Sequence, residues 1–101
     1  MTRFGKITIE FPRTALPLVS AFTNDRFASM KAKYVIIQGL KSNAGSWYLG
    51  TQNVTPENYG FTGVALDSLT LPKMDEPCHD LSQLWITTDN IGEGVTFIFE
   101  I

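Results

Sequence analysis

The stretch that decides the fold is GVTFIFEI, residues 94 to 101. Every second residue is apolar, and this apolar set is Val95, Phe97, Phe99 and Ile101. The intervening positions hold Thr96, Ile98 and Glu100. Alternation with a period of two indicates a β-strand with one buried face, and β-branched and aromatic side chains fit a pleated surface. We therefore expect a strand here, with its apolar face in the core.

Two segments ahead of this stretch also have strand character. Residues 5 to 11, GKITIEF, place Ile7, Ile9 and Phe11 on one face and stop before a proline. Residues 32 to 38, AKYVIIQ, are apolar on both faces, which is typical of a strand in the interior of a sheet. The sequence thus predicts an early strand with one apolar face and a later strand at the centre of a sheet.

The rest of the chain reads as short strands separated by turns. Further strands are predicted at residues 47–50, 64–66, 69–71 and 84–88. Asp67 and Ser68 form a turn, and DNIGEG at 89–94 is a hairpin loop leading into the last strand. Residues 15 to 27 fit either a strand or a packed loop, and a short helix fits only residues 25 to 31, capped by Asp25.

These features predict an all-β fold. A chain of 101 residues is the size of one domain, so residues 1–101 are expected to form a single domain. Many short strands without a sustained helical stripe favour an antiparallel β-sandwich, jelly-roll-like in connection. Residues 1–14 are expected to be an extended N-terminal strand or arm, which would close its own sheet or pair with a neighbouring subunit.

Composition excludes several functional classes. The net charge is −2 and no cluster of lysine and arginine occurs, so we expect no nucleic acid and no anionic membrane as partner. No apolar run approaches the ~20 residues that span a bilayer, and the start of the sequence lacks the apolar core of a signal peptide. The single Cys78 excludes an intrachain disulfide. The chain is therefore expected to be made and kept in a cytoplasm.

One short segment holds candidate catalytic and metal-ligating residues. In MDEPCHD, residues 74 to 80, the neighbours Cys78 and His79 point apart in an extended chain. A zinc site normally draws on separated pairs of ligands, so an acidic surface loop with a half-buried cysteine is the favoured interpretation. His79 is the sole histidine, and no nucleophile elbow, phosphate loop or dinucleotide motif is present. We expect no metal, no cofactor and no enzymatic activity.

Aromatic residues stand among glycines between residues 42 and 63. Trp47, Tyr48 and Tyr59 could form an exposed platform for a sugar or a protein partner. The favoured interpretation is packing, because side chains alternate along residues 47–50, so that one set, either Trp47 with Leu49 or Tyr48 with Gly50, faces the core and the other faces outward. Residues 42 to 45 would then be a corner, and residues 59 to 63 would return the chain to the other sheet.

Several motifs together resemble a known group of proteins. They are KAKYVIIQ at 31–38, SNAGSWYLGTQNV at 42–54, DLSQLWI at 80–86 and GEGVTFIFE at 92–100. Their order resembles that of small β-sandwich proteins of tailed bacteriophages. The match covers the chain from about residue 32 to residue 101, and residues before about 28 are not covered. One departure is the turn at Asp67 and Ser68, where the group usually has Pro-Gly.

The resemblance implies a virion protein, assembled in the host cytoplasm, that decorates or cements the head shell. Its implied partners are the major capsid protein and further copies of itself, with a trimer favoured. The expected interface residues are Phe4, Ile7, Ile9, Phe11 and Arg13. The alternative is a receptor- or glycan-binding module of a tail or head fibre, with Trp47, Tyr48 and Tyr59 as its platform. A small hydrolase centred on His79 is a third hypothesis.

Overall fold

A computed structural model describes residues 2–11, 14–22 and 31–101. Its strands are β1 (Thr2–Thr8), β2 (Leu16–Pro17), β3 (Lys31–Ala32), β4 (Tyr34–Gly39), β5 (Trp47–Gly50), β6 (Phe61–Gly63), β7 (Ser68–Leu71), β8 (His79–Asp80), β9 (Trp85–Thr88) and β10 (Gly94–Glu100). One turn of 3-10 helix covers Leu18–Ala21. The short helix predicted at residues 25–31 lies outside the described residues, apart from Lys31, which begins β3.

The strands form antiparallel sheets, which confirms the all-β prediction. Sheet 1 has the strand order β1-β10-β4-β7, and sheet 2 has the order β2-β9-β5-β6. Strands β3 and β8 form a separate two-stranded ribbon. Strand β10, predicted most clearly from the sequence, is the strand to which both β1 and β4 pair over their full lengths.

One hydrophobic cluster contains residues of both large sheets. Sheet 1 contributes Ile7, Val35, Ile37, Val95, Phe97 and Phe99, and sheet 2 contributes Trp47, Leu49 and Ile86. The apolar face of β10 is therefore buried as predicted, whereas Ile101 lies beyond the strand and is exposed. The Phe97 and Phe99 rings stack with centroids 5.7 Å apart. Burial of each such side chain stabilises the fold by about 1.5–3 kcal/mol.

The connection between β9 and β10 differs from the predicted hairpin loop. β9 belongs to sheet 2 and β10 to sheet 1, so residues 89–93 carry the chain from one sheet to the other. Residues 40–46 make the opposite crossing between β4 and β5. The return predicted for residues 59–63 is also wrong, because β6 pairs with β5 in the same sheet. Alternation along a strand indicates its faces but not the sheet that it joins.

The strand predicted at residues 64–66 is a turn. The backbone N–H of Val64 donates to Asp67 Oδ2 at 3.0 Å, and the N–H of Asp67 donates to the carbonyl oxygen of Val64 at 3.1 Å. Leu66 adopts a φ of 66°, the left-handed region that disfavours side chains with a Cβ. The Asp67 side chain thus accepts the Val64 N–H, which would otherwise be available to pair with a neighbouring strand, and so favours a turn here.

Replacing Leu66 by glycine should stabilise the protein. Leu66 is 60% exposed, so its side chain adds little packing to offset the cost of its left-handed backbone. Glycine removes that cost but is more flexible when unfolded, which leaves a net gain of roughly 0.5–1 kcal/mol. Chemical denaturation of Leu66→Gly and Leu66→Val measures it. Valine should destabilise, and a glycine variant less stable than the parent would contradict the explanation.

Candidate functional site

Two of the motifs behind the resemblance contact each other at the sheet crossings. The buried Asn43 side chain donates from Nδ2 to the carbonyl oxygen of Gly94 at 2.9 Å. The N–H of Gly94 donates back to Asn43 Oδ1 at 3.1 Å. The carboxamide therefore pairs with a backbone unit as a neighbouring strand would. This reciprocal pair joins the residue 40–46 crossing to the start of β10.

A buried carboxylate strengthens the same junction. Glu93 accepts hydrogen bonds from the backbone N–H groups of Ala44 and Gly45, the latter at 3.0 Å, and from Asn90 Nδ2 at 3.2 Å. Burial acts to raise the pKa of Glu93, but these donors outweigh it, so the pKa lies below its ordinary value. We call Asn43, Ala44, Gly45, Glu93 and Gly94 the corner junction. It orients the two crossings and leaves no carboxylate oxygen free for chemistry.

A second carboxylate holds the aromatic strand beside the junction. Asp89 accepts from the backbone N–H of Ser46 and from the Tyr48 hydroxyl, each at 2.8 Å. Burial and the bond to Asp89 raise the pKa of the Tyr48 phenol. The Tyr48 and Tyr59 rings lie 5.1 Å apart between centroids. Tyr48 is therefore held by two contacts, the hydrogen bond of its hydroxyl to Asp89 and the packing of its ring against Tyr59.

The hydrogen bonds of Glu93 in the corner junction indicate that acid lowers the stability of the folded protein. The pKa of Glu93 is lower in the folded protein than its ordinary value of 4.5, so its stabilisation is present above that pH. The stabilisation is lost as the pH falls through the lower, folded pKa. The pKa of Asp80 is lowered as well, by hydrogen bonds from the Ser82 hydroxyl and N–H, and adds in the same direction.

Glu93→Gln should weaken this dependence and cost about 1–3 kcal/mol at neutral pH, because a charged acceptor is lost from buried donors. Denaturant unfolding of the variant and parent between neutral pH and about pH 3 measures both effects. The surface substitution Glu57→Gln is the matched control. A Glu93→Gln profile parallel to that of the parent would contradict the assignment.

The aromatic platform expected from the sequence is only partly present. Trp47 is 1% exposed, and its Nε1 donates to the carbonyl oxygen of Val64 at 3.2 Å. The backbones of Gly39 and Gly63 lie so close to the indole that an added Cβ would clash with it. Trp47 is therefore a core residue, which agrees with the packing interpretation, and it cannot stack on a ligand. Tyr59 is exposed, so a smaller platform with Tyr48 remains.

The expected interface residues that the structure describes separate into two groups. Ile7 and Ile9 belong to the hydrophobic cluster, so they are core residues rather than interface residues. β1 covers residues 2–8 rather than 5–11, and Phe11 lies beyond its end, exposed. Phe4 faces away from the core and is exposed. Arg13 lies outside the described residues.

Sequence reasoning missed a row of apolar side chains across the outer face of sheet 1. Phe4 of β1 pairs in register with Ile98 of β10, and Ile98 pairs with Ile36 of β4. Their exposed fractions are 75%, 45% and 36%. We call these three residues the apolar row. Its signal was already present in the sequence, because Ile98 interrupts a polar face and residues 32–38 are apolar on both faces.

A cleft opens beside the end of β9 and the start of the residue 89–93 crossing. Its volume is about 410 Å³, and it is lined by residues 54–57, by residues 87–91, and by Ile9 and Phe11, which follow β1. Phe11 and Ile91 line it and are exposed. This cleft is a second place where apolar side chains meet solvent.

The segment around His79 does not form a catalytic arrangement in the described ranges. His79 Nε2 lies 2.7 Å from the carbonyl oxygen of Pro72, to which the ring nitrogen donates. Cys78, expected to be half-buried, is exposed. Among the described residues no group of three His, Cys, Asp or Glu side chains converges as a metal site would require. Asp80 instead accepts from Ser82, which fixes the turn after β8.

Comparisons with family models, curated proteins and solved structures give no match for this chain. The phage resemblance therefore rests on its sequence motifs alone. No helix within residues 2–11, 14–22 and 31–101 has the length and apolarity needed to cross a membrane.

Proposed function

We propose that this chain is a non-enzymatic structural protein of a tailed-phage virion, a decoration or cement protein that stabilises the head shell as a homo-oligomer. Its two four-stranded sheets would face each other as a β-sandwich, with jelly-roll-like connections. Support for the sandwich comes from the single hydrophobic cluster that both sheets share. Its partners would be the major capsid protein and further copies of itself, and its location the virion.

The observation that carries this proposal is that large apolar side chains are exposed on a fold whose two sheet crossings are fixed by hydrogen bonds. The apolar row and the residues at the cleft leave large side chains in solvent, and exposed apolar patches mark interaction surfaces. The corner junction meanwhile uses its polar groups to fix the two crossings. A protein that binds across the subunits of a capsid shell needs such surfaces on a rigid fold, and it needs no catalytic residue.

Re-addition to particles tests the proposal. Purified protein is added to particles that lack its gene, and bound copies and the temperature of genome release are measured. We expect saturable binding and a higher release temperature. Phe11→Ser should weaken binding, whereas Met74→Ser, which removes an exposed apolar side chain elsewhere, should not. Particles that bind no protein at saturating concentration would overturn the proposal.

The Tyr48 and Tyr59 pair favours one alternative, a receptor- or glycan-binding module. Its rings lie side by side, and Phe61 on the neighbouring strand is exposed. Sugars stack on such aromatic surfaces. Under this alternative, Tyr59→Ala abolishes attachment of particles to host cells without changing shell stability. Under the cement function, the same variant leaves attachment unchanged.

A further inference from the structure

The outer face of sheet 1 is ordered in three rows that cross its strands. The middle one is the apolar row of Phe4, Ile98 and Ile36. Neighbouring strands lie about 4.8 Å apart, so these side chains form one continuous stripe across three strands. Aligned positions on the same face are direct neighbours. The stripe is therefore a single apolar surface and not three scattered residues.

The two flanking rows carry opposite charges. On one side of the apolar row, Lys6 pairs in register with Thr96, which pairs with Gln38. On the other side, Thr2 pairs with Glu100, which pairs with Tyr34. The Lys6 row is thus positive and the Glu100 row negative. A surface with this pattern is complementary to itself when one copy is turned over.

We propose that two copies of this chain associate face to face through this surface, around a two-fold axis that runs along the apolar row. The inference rests on the homo-oligomer of the proposed function and names its interface. Each member of the apolar row then meets its own copy, and Lys6 of one subunit faces the Glu100 row of the other. Contacts of this kind, with the same patch on both subunits, define an isologous dimer.

The same axis accounts for a groove on this face. The groove has a volume of about 270 Å³ and is lined by Ile36, Gln38, Ser68, Thr96 and Ile98. The two-fold operation exchanges the Glu100 row, which contains Tyr34, with the Lys6 row, which contains Gln38. Tyr34 of each subunit therefore lies over the groove of the other. The Lys73 ammonium lies 6.0 Å from the Tyr34 ring centroid, so it comes close to Gln38 of the other subunit, at the uncharged end of the Lys6 row and two strands away from Lys6.

The area of the outer face of sheet 1 limits how strongly two copies should associate. Strands of four to seven residues in a four-stranded sheet give a face of roughly 400 Å² per copy. Stable specific interfaces bury about 800 Å² per partner, so association through this smaller face should be weak. On a shell, copies held close together would dimerise at such an affinity.

Sedimentation velocity of the full chain over a range of concentrations tests the dimer. We expect a reversible monomer–dimer equilibrium, weakened about tenfold or more by Phe4→Ser and unchanged by Met74→Ser. Lys6→Glu and Glu100→Lys should each weaken the dimer, and the double variant should restore it. A structural role for either residue would not produce this rescue. Thermal melting of each variant confirms that the fold is retained.

Several results would overturn this interface. They are a monomer at all concentrations up to about 1 mM, a trimer as the main species, or a double variant no better than its two single variants. A different result would overturn the proposed function. A dimer absent from virions would overturn the virion assignment alone, and a monomer abundant in virions would overturn the dimer alone.

Discussion

Trp47→Ala is expected to lower the free energy of unfolding by about 3–5 kcal/mol. The indole is buried between β4 of sheet 1 and β6 of sheet 2, where Gly39 and Gly63 leave room for it. Its removal leaves a cavity in the hydrophobic cluster and deprives the Val64 carbonyl of a donor. A loss of this size approaches the total stability of a small domain.

Denaturant unfolding of Trp47→Ala, with Trp47→Phe and Tyr48→Ala beside it, measures this effect. Phenylalanine keeps part of the volume but lacks the N–H donor, so its cost should be intermediate. Tyr48 alternates with Trp47 on the strand and is only half-buried, so Tyr48→Ala should cost less than Trp47→Ala. A Trp47→Ala variant within about 1 kcal/mol of the parent would contradict its place in the core.

Gly94→Ala is expected to cost at least about 3 kcal/mol, or to prevent folding. A Cβ at position 94 would meet the carbonyl oxygen of Ile7 well inside the 3.0 Å that real Cβ atoms keep. The obstructing atom is backbone, so no side-chain rotation relieves the clash. Gly94 also holds Asn43 through two hydrogen bonds, and separation of β1 from β10 would disturb the corner junction.

Gly60→Ala is the matched control for this prediction. Its closest neighbour would be the carbonyl oxygen of Leu49 at 3.3 Å, which a small shift relieves. We expect it to cost under about 1 kcal/mol. Circular dichroism and thermal melting of the two variants compare them directly. A folded Gly94→Ala protein as stable as Gly60→Ala would contradict the close approach of β1 and β10.

Much of the fold followed from local alternation. Val95, Phe97 and Phe99 indicated a strand whose buried face the structure confirms, and the strand at residues 47–50 was predicted with the bounds that the structure shows. Such predictions work because a strand's two faces are encoded in neighbouring residues. The alternation left open whether Trp47 or Tyr48 points into the core, and the structure shows that it is Trp47.

The sheet assignments and the polar junction could not be predicted in this way. The bonds of Glu93 to Ala44 and Gly45 join positions far apart in sequence, and nothing local marks Glu93 as a buried carboxylate. The same long-range contacts decide that residues 89–93 cross between sheets. The apolar row was missed for a related reason, since the side on which Phe4, Ile98 and Ile36 align depends on strand order.

The most direct test of the virion assignment is the number of copies of this chain in purified particles of the phage that encodes it. Quantitative mass spectrometry against the major capsid protein provides the count. The proposed function predicts on the order of hundreds of copies, in a simple ratio to the capsid protein, as symmetric shells require. About a dozen copies or fewer would instead favour a fibre protein, and complete absence would contradict a structural role in the virion.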